Sequence, residues 1–98
     1  MDDVGMGGSS ENRRKMLLFR AQRRGFKEVD LIFGAYAEAA LPRLGAVELD
    51  QFEALLAAPD QEVYDWLRGA ASVPPAHDNS VFAGLKAVIG RKDTKWNA

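Results

Sequence analysis

The sequence has no cysteine. That excludes disulfides and thiolate-bound metals and fits a reducing compartment, such as the cytoplasm. Histidine is nearly missing as well. The single one, His77, lies in the proline-rich stretch SVPPAHDNS with no second histidine or cysteine to share a zinc ion. It has no rigid element to aim it as a catalytic base, so it reads as a solvated loop residue. No apolar run approaches the ~18 residues that a membrane span requires, so no membrane insertion is expected. No stretch alternates at period two, so no strand is predicted and a strand-fed phosphate loop has nothing to follow. Two carboxylates could serve as acid and base, but nothing singles out a pair. With no catalytic residue, metal site or cofactor-binding motif in view, the chain is not expected to be an enzyme.

What is present suits one small domain of 98 residues with 47% hydrophobic and 28% charged side chains. The first ten residues, MDDVGMGGSS, offer little to bury and lack the marks of a signal peptide or presequence. They are expected to be a disordered tail, followed by a domain over residues 11–90 and a polar tail over 91–98.

The apolar spacing predicts an all-α, compact bundle of about five short helices. The first runs from Asn12 to Arg24, with Gly25 as the left-handed residue after it. The second runs from Phe26 or Lys27 to Leu41, with Val29, Ile32, Phe33, Tyr36 and Ala40 on one face and Pro42 as its stop. Gly34 within it costs roughly 1 kcal/mol against alanine, which a close helix contact would offset. A third helix covers Ala46 to Ala57 on the stripe Leu49, Phe52, Leu55 and Leu56. A fourth begins with Asp60 as its N-cap, buries Val63, Tyr64, Trp66 and Leu67, and ends at Gly69. The fifth starts near Ser80, carries Val81, Phe82, Leu85, Val88 and Ile89 inward, and ends at Gly90. Trp66 reads as core; Trp96 falls in the polar tail.

Charge is segregated. Seven basic residues and two acidic ones lie between Glu11 and Glu28, whereas six acidic residues and no basic one lie between Glu48 and Asp65. Two readings follow: a dipolar surface that steers a partner, or two ends of the chain that attract each other within the fold. The basic first helix also leaves open a regulatory module that binds nucleic acid or another protein. A pI of about 5.8 and an apolar second helix count against nucleic acid.

The stretch Arg23-Arg24-Gly25-Phe26-Lys27-Glu28 joins the first two helices. Each residue has a local role there: arginines complement a helix C-terminus, glycine supplies the turn, Phe26 packs back, and Glu28 suits a helix N-terminus. A tight glycine turn is also expected to project Arg24 and Glu28 outward together at one corner. Arg24-Gly25-Phe26-Lys27-Glu28 matches the R-G-x-x-E motif of the small succinate dehydrogenase assembly factors, which the chain resembles. Glu28-Val29-Asp30 is similar to the family's E-L-D continuation. Phe52-Glu53-Ala54-Leu55-Leu56 with Pro59-Asp60 resembles its F-x-x-L-L…P-D segment, and Tyr64-Asp65-Trp66-Leu67 its aromatic-x-W-L ending. Phe26 stands where many members have methionine.

The resemblance implies an assembly chaperone that binds the flavoprotein subunit of succinate dehydrogenase, and in some bacteria that of fumarate reductase. It would promote covalent attachment of FAD to a histidine of that subunit. FAD then belongs to the partner, and the chain holds no cofactor stably by itself. Carried over by position, the motif residues are Arg24, Gly25 and Glu28, with Arg23, Phe26, Lys27 and Asp30 around them as partner-binding candidates. The free oligomeric state is left open, with a monomer as the expectation.

Overall fold

A computed structural model describes the backbone of residues 5–90 and the side chains of residues 11–90. Five helices follow one another: α1 (Gly5–Ala21), α2 (Lys27–Ala40), α3 (Ala46–Leu56), α4 (Asp60–Leu67) and α5 (Ser80–Gly90). Short 3-10 turns at Leu41–Arg43 and Pro75–His77 link them, and there is no strand among the described residues. The expected all-α bundle is what forms. The terminal tails at 1–4 and 91–98, Trp96 included, lie outside the described residues.

α2 is the central element. Its stripe of Val29, Ile32, Phe33, Tyr36, Ala37 and Ala40 is buried, and α1, α4 and α5 pack around it. The period of three and four places these side chains along one side of the helix, so burying that side buries them all. Phe52 of α3 closes the centre, with its ring 5.7 Å from Phe33 and 5.6 Å from Tyr36. Leu17 and Ala21 of α1, Val63 and Leu67 of α4, and Val81, Leu85 and Val88 of α5 complete the core.

Most helix ends use local chemistry. Asn79 caps α5 by accepting a hydrogen bond from the Phe82 N–H at 3.1 Å. Glu48 reaches back to the Gly45 N–H at 3.1 Å at the start of α3. α4 closes in a Schellman arrangement. Ala70 N–H donates to the Asp65 carbonyl at 2.8 Å and Gly69 N–H to that of Trp66 at 3.3 Å, with Gly69 at φ +80°.

Several expectations are revised. α1 begins at Gly5 rather than Asn12, because no proline or competing cap interrupts the helical ladder over residues 5–11. It ends at Ala21 rather than Arg24, for a reason that lies in the next helix and is given below. Asp60 is not the N-cap of α4. Pro59 holds that position, and the Asp60 carboxylate is engaged elsewhere. His77 is not a solvated loop residue: its ring is half-buried, 5.5 Å from the ring of Trp66. Trp66 and Tyr64 are themselves only half-buried, packed on the core rather than in it.

The close helix approach is at Gly84, not Gly34. A Cβ at Gly84 would lie 2.5 Å from Cε1 of Tyr36, whereas one at Gly34 would meet only Cγ of the half-buried Gln22 side chain, at 3.3 Å, a shortfall of a few tenths of an ångström. The Tyr36 ring is buried and cannot swing away freely. Gly84→Ala is therefore expected to cost ~1–2 kcal/mol net, overpacking exceeding the helix-propensity gain of ~1 kcal/mol. Gly34→Ala should be neutral or slightly stabilising. Thermal melts of the two variants check this, with a Tm lowered by roughly 4–12 °C for Gly84→Ala alone. Burial of Tyr36, helped by the charge of Glu48, also raises its pKa above the usual phenol value. The unfolded chain then loses that proton first, so stability falls as pH climbs through the ordinary tyrosine range. Tyr36→Phe should flatten this alkaline decline in denaturant midpoints measured across pH.

Candidate functional corner

The turn between α1 and α2 is built by a carboxylate from the helix that follows it. Asp30, in the first turn of α2, accepts hydrogen bonds from the backbone N–H of Arg24 at 2.8 Å and of Gly25 at 3.4 Å. These donors are lost to α1, which explains its early end. Gly25 adopts φ +98°, a region where a side chain would be strained. Phe26, extended at φ −122°, then leads into α2. Its ring lies against Tyr64 of α4, with centroids 5.0 Å apart.

Arg24 does not project outward. Its side chain is only 7% exposed and runs under the turn between α3 and α4. Nε donates to Asp60 Oδ1 at 2.5 Å, Nη1 to the Leu56 carbonyl at 2.6 Å and Nη2 to the Ala58 carbonyl at 2.8 Å. The guanidinium also stands 5.0 Å from the centroid of the buried Phe33 ring. The arrangement joins two helix ends. Leu56 is the last residue of α3, where carbonyls lack helical partners and a cation is favourable; Asp60 is the first of α4, where an anion is favourable. One planar fork satisfies both, which a lysine could not do. The expected pairing of Arg24 and Glu28 as neighbouring free charges is thus corrected. Local reading assigned Arg24 to its own helix end, whereas its partners lie far along the chain.

The other residues of the corner divide cleanly. Arg23, Gly25, Lys27 and Glu28 are exposed, Phe26 and Asp30 partly buried. Among the described residues Glu28 makes no hydrogen bond or ion pair. Arg23 lays its guanidinium 4.0 Å from the centroid of the Phe19 ring, and Phe19 itself is 58% exposed. Phe19 was not anticipated as part of this surface. Its spacing of four from Arg23, one helical turn, was the available signal.

The remaining arginines of α1 are mostly engaged in the fold. Arg13 donates to Asp50 at 2.6 Å and Glu53 at 2.8 Å, hydrogen bonds that raise its pKa and keep it charged. Arg14 donates to the carbonyls of Leu41 and Leu44 at 2.9 and 2.6 Å. Arg20 stands 3.6 Å from Glu53. Among the described residues Lys15, Arg23 and Lys27 have no acidic partner. Charge segregation in the sequence is therefore largely an attraction inside the molecule, and the first helix offers few free cations for nucleic acid.

No group of three or more His, Cys, Asp or Glu that could hold a metal occurs among the described residues, and no described helix is long and apolar enough to cross a membrane. The corner can make contacts and present a fixed carboxylate.

Comparison with known proteins places this geometry. The family model described as "Flavinator of succinate dehydrogenase" matches residues 15–89. The chain is 42% identical over 62 residues to the FAD assembly factor SdhE of Acetobacter pasteurianus, covering 63% of this chain and 57% of that protein. It is 32% identical over 72 residues to the mitochondrial succinate dehydrogenase assembly factor 2 of Dictyostelium discoideum, covering 74% and 51%. For the protein of that name in Yarrowia lipolytica the identity is 30% over 69 residues, covering 70% and 48%. The chain thus spans about half the length of the curated relatives it matches. No solved structure gave a significant match. With a family model covering both ends of the Arg24–Asp60 pair, the C-terminal part of α1, all of α2 to α4 and nearly all of α5, the chain belongs to the family of succinate dehydrogenase flavinators.

Proposed function

We propose that the protein is an assembly chaperone that docks on the flavoprotein subunit of succinate dehydrogenase and promotes covalent attachment of FAD to it. The names of its relatives support this reading. The observation that carries it is the exposed Glu28, without a partner among the described residues, at the start of a helix whose entry is locked by the Asp30 carboxylate, Gly25 and the buried Arg24. The name of the family model and of the mitochondrial relatives supports succinate dehydrogenase as the partner, and the Acetobacter relative supports a bacterial setting, which we take to be the cytoplasm.

The corner works by position. Attachment needs a histidine nitrogen of the partner to meet a reactive carbon of the flavin ring, and misplacement by about 1 Å can cost a hundredfold in rate. A rigid surface that binds one conformer of the partner better than others raises the population of that conformer without a catalytic group of its own. Glu28 supplies charge-assisted acceptors, and Lys27 and Arg23 supply donors beside it. Gly25 and Asp30 set the angle between α1 and α2. Arg24 acts through the fold, by holding the α3–α4 turn against the corner. FAD stays with the flavoprotein, and the chain needs no stable cofactor or enzymatic residue.

The roles of Arg24 and Glu28 separate experimentally. Glu28→Ala should leave stability within about 0.5 kcal/mol of the parent, because the side chain is exposed and unpartnered. Covalent flavin on the co-expressed flavoprotein subunit, read by in-gel flavin fluorescence, should fall sharply. Arg24→Ala should lose about 2–4 kcal/mol, since it strips a buried ion pair and two helix-end carbonyls of their partner. Its flavinylation defect should track its lower Tm and recover on cooling. A Glu28→Ala variant that flavinylates normally would overturn the proposal.

A further inference from the structure

The outer face of α1 carries an exposed apolar patch. Met16 and Phe19, one turn apart, are 62% and 58% exposed. Isolated exposed apolar residues are ordinary, but two large ones on one helix face beside a groove form a patch. The groove has a volume of about 320 Å³ and is lined by Phe19, Arg20, Arg23, Arg24, Leu56 and Asp60. Its acidic residue is already committed, Asp60 to Arg24, and the nearby Glu53 to Arg13 and Arg20. Around the apolar pair, Lys15 and Arg23 have no acidic partner among the described residues. Arg23 lies over the Phe19 ring and belongs to both this face and the Glu28 corner, so the two surfaces are continuous.

We propose that this face is a second docking site for the same flavoprotein subunit, and that its occupant is an acidic segment carrying an aromatic or long aliphatic side chain. The apolar side chain would sit against Met16 and Phe19 at the groove, and the carboxylates would pair with Arg23 and Lys15. Charge complementarity selects this occupant: a basic segment would meet uncompensated cations, and a neutral one would leave them desolvated and unpaired. The inference rests on the proposed function, because the partner is the one named there.

Site-specific photocrosslinking tests it. The full chain carries p-benzoylphenylalanine at position 19 or, in parallel, in place of the exposed Leu31 one turn beyond Glu28 on α2, and is irradiated with the purified flavoprotein subunit. The crosslinked peptides are then sequenced by mass spectrometry. Position 19 should capture a flavoprotein peptide rich in Asp and Glu with at least one large apolar residue. Arg23→Glu, or about 0.5 M salt, should reduce that yield about tenfold with the Tm unchanged for Arg23→Glu. Capture at position 31 but not at 19 overturns this inference and leaves the proposed function standing. Capture at 19 of a basic or neutral flavoprotein segment, of a second copy of the chain, or of residues 91–98 of the same chain also overturns it. Capture at neither position overturns both.

Discussion

One buried guanidinium organises this small domain. Arg24 lies between the end of α3 and the start of α4 and satisfies a carboxylate and two carbonyls that would otherwise be left without protein partners. Burying a charge is expensive unless it is paired and hydrogen-bonded, and here all three faces of the fork are used. Because the same residue's backbone N–H is held by Asp30, the α1–α2 turn and the α3–α4 turn are fastened at a single residue. Phe26 against Tyr64 adds an apolar clasp beside the polar one. Two turns far apart in sequence thus become one rigid corner.

The same logic explains the segregated charge. A domain of this size has little core to spare, and acidic and basic stretches that meet across α1 and α3 add contacts without enlarging it. The exposed pair of Arg13 with Asp50 contributes little on its own. Arg14 and Arg24 contribute more, because their hydrogen bonds to helix-end and turn carbonyls are partly buried. An arginine-rich helix that reads as a nucleic-acid surface is, for the most part, internal scaffolding.

Much of the fold was legible because its causes are local. The apolar stripes of α2 and α5 place those helices to within a residue, and Gly69 and Gly25 occupy left-handed turns as their positions suggest. The failures share the opposite property. α1 stops early because a carboxylate in the next helix takes its donors. Arg24 is buried because its acceptors lie some thirty residues on. Asp60 was read as a cap because its partner could not be seen from its neighbours. The candidate site was legible as a set of residues but not as a division of labour. The motif resemblance named Arg24, Gly25 and Glu28 together, and only their surroundings separate the one that holds the fold from the one left free.

That separation bears on how any recognition surface in so small a protein must be built. A carboxylate on a mobile loop would lose conformational freedom on docking, which weakens binding and blurs its geometry. Here the ordering cost is met during folding. The glycine turn, Asp30 and Arg24 fix the backbone entering α2 before any partner arrives, so Glu28 needs to immobilise little more than its own side chain. Residues that set the corner and residues that touch a partner are therefore different residues, a few positions apart. On the proposed function, loss of either weakens docking by routes that differ in stability, and a motif whose members are deleted one at a time without measuring the fold will assign scaffold and contact the same role.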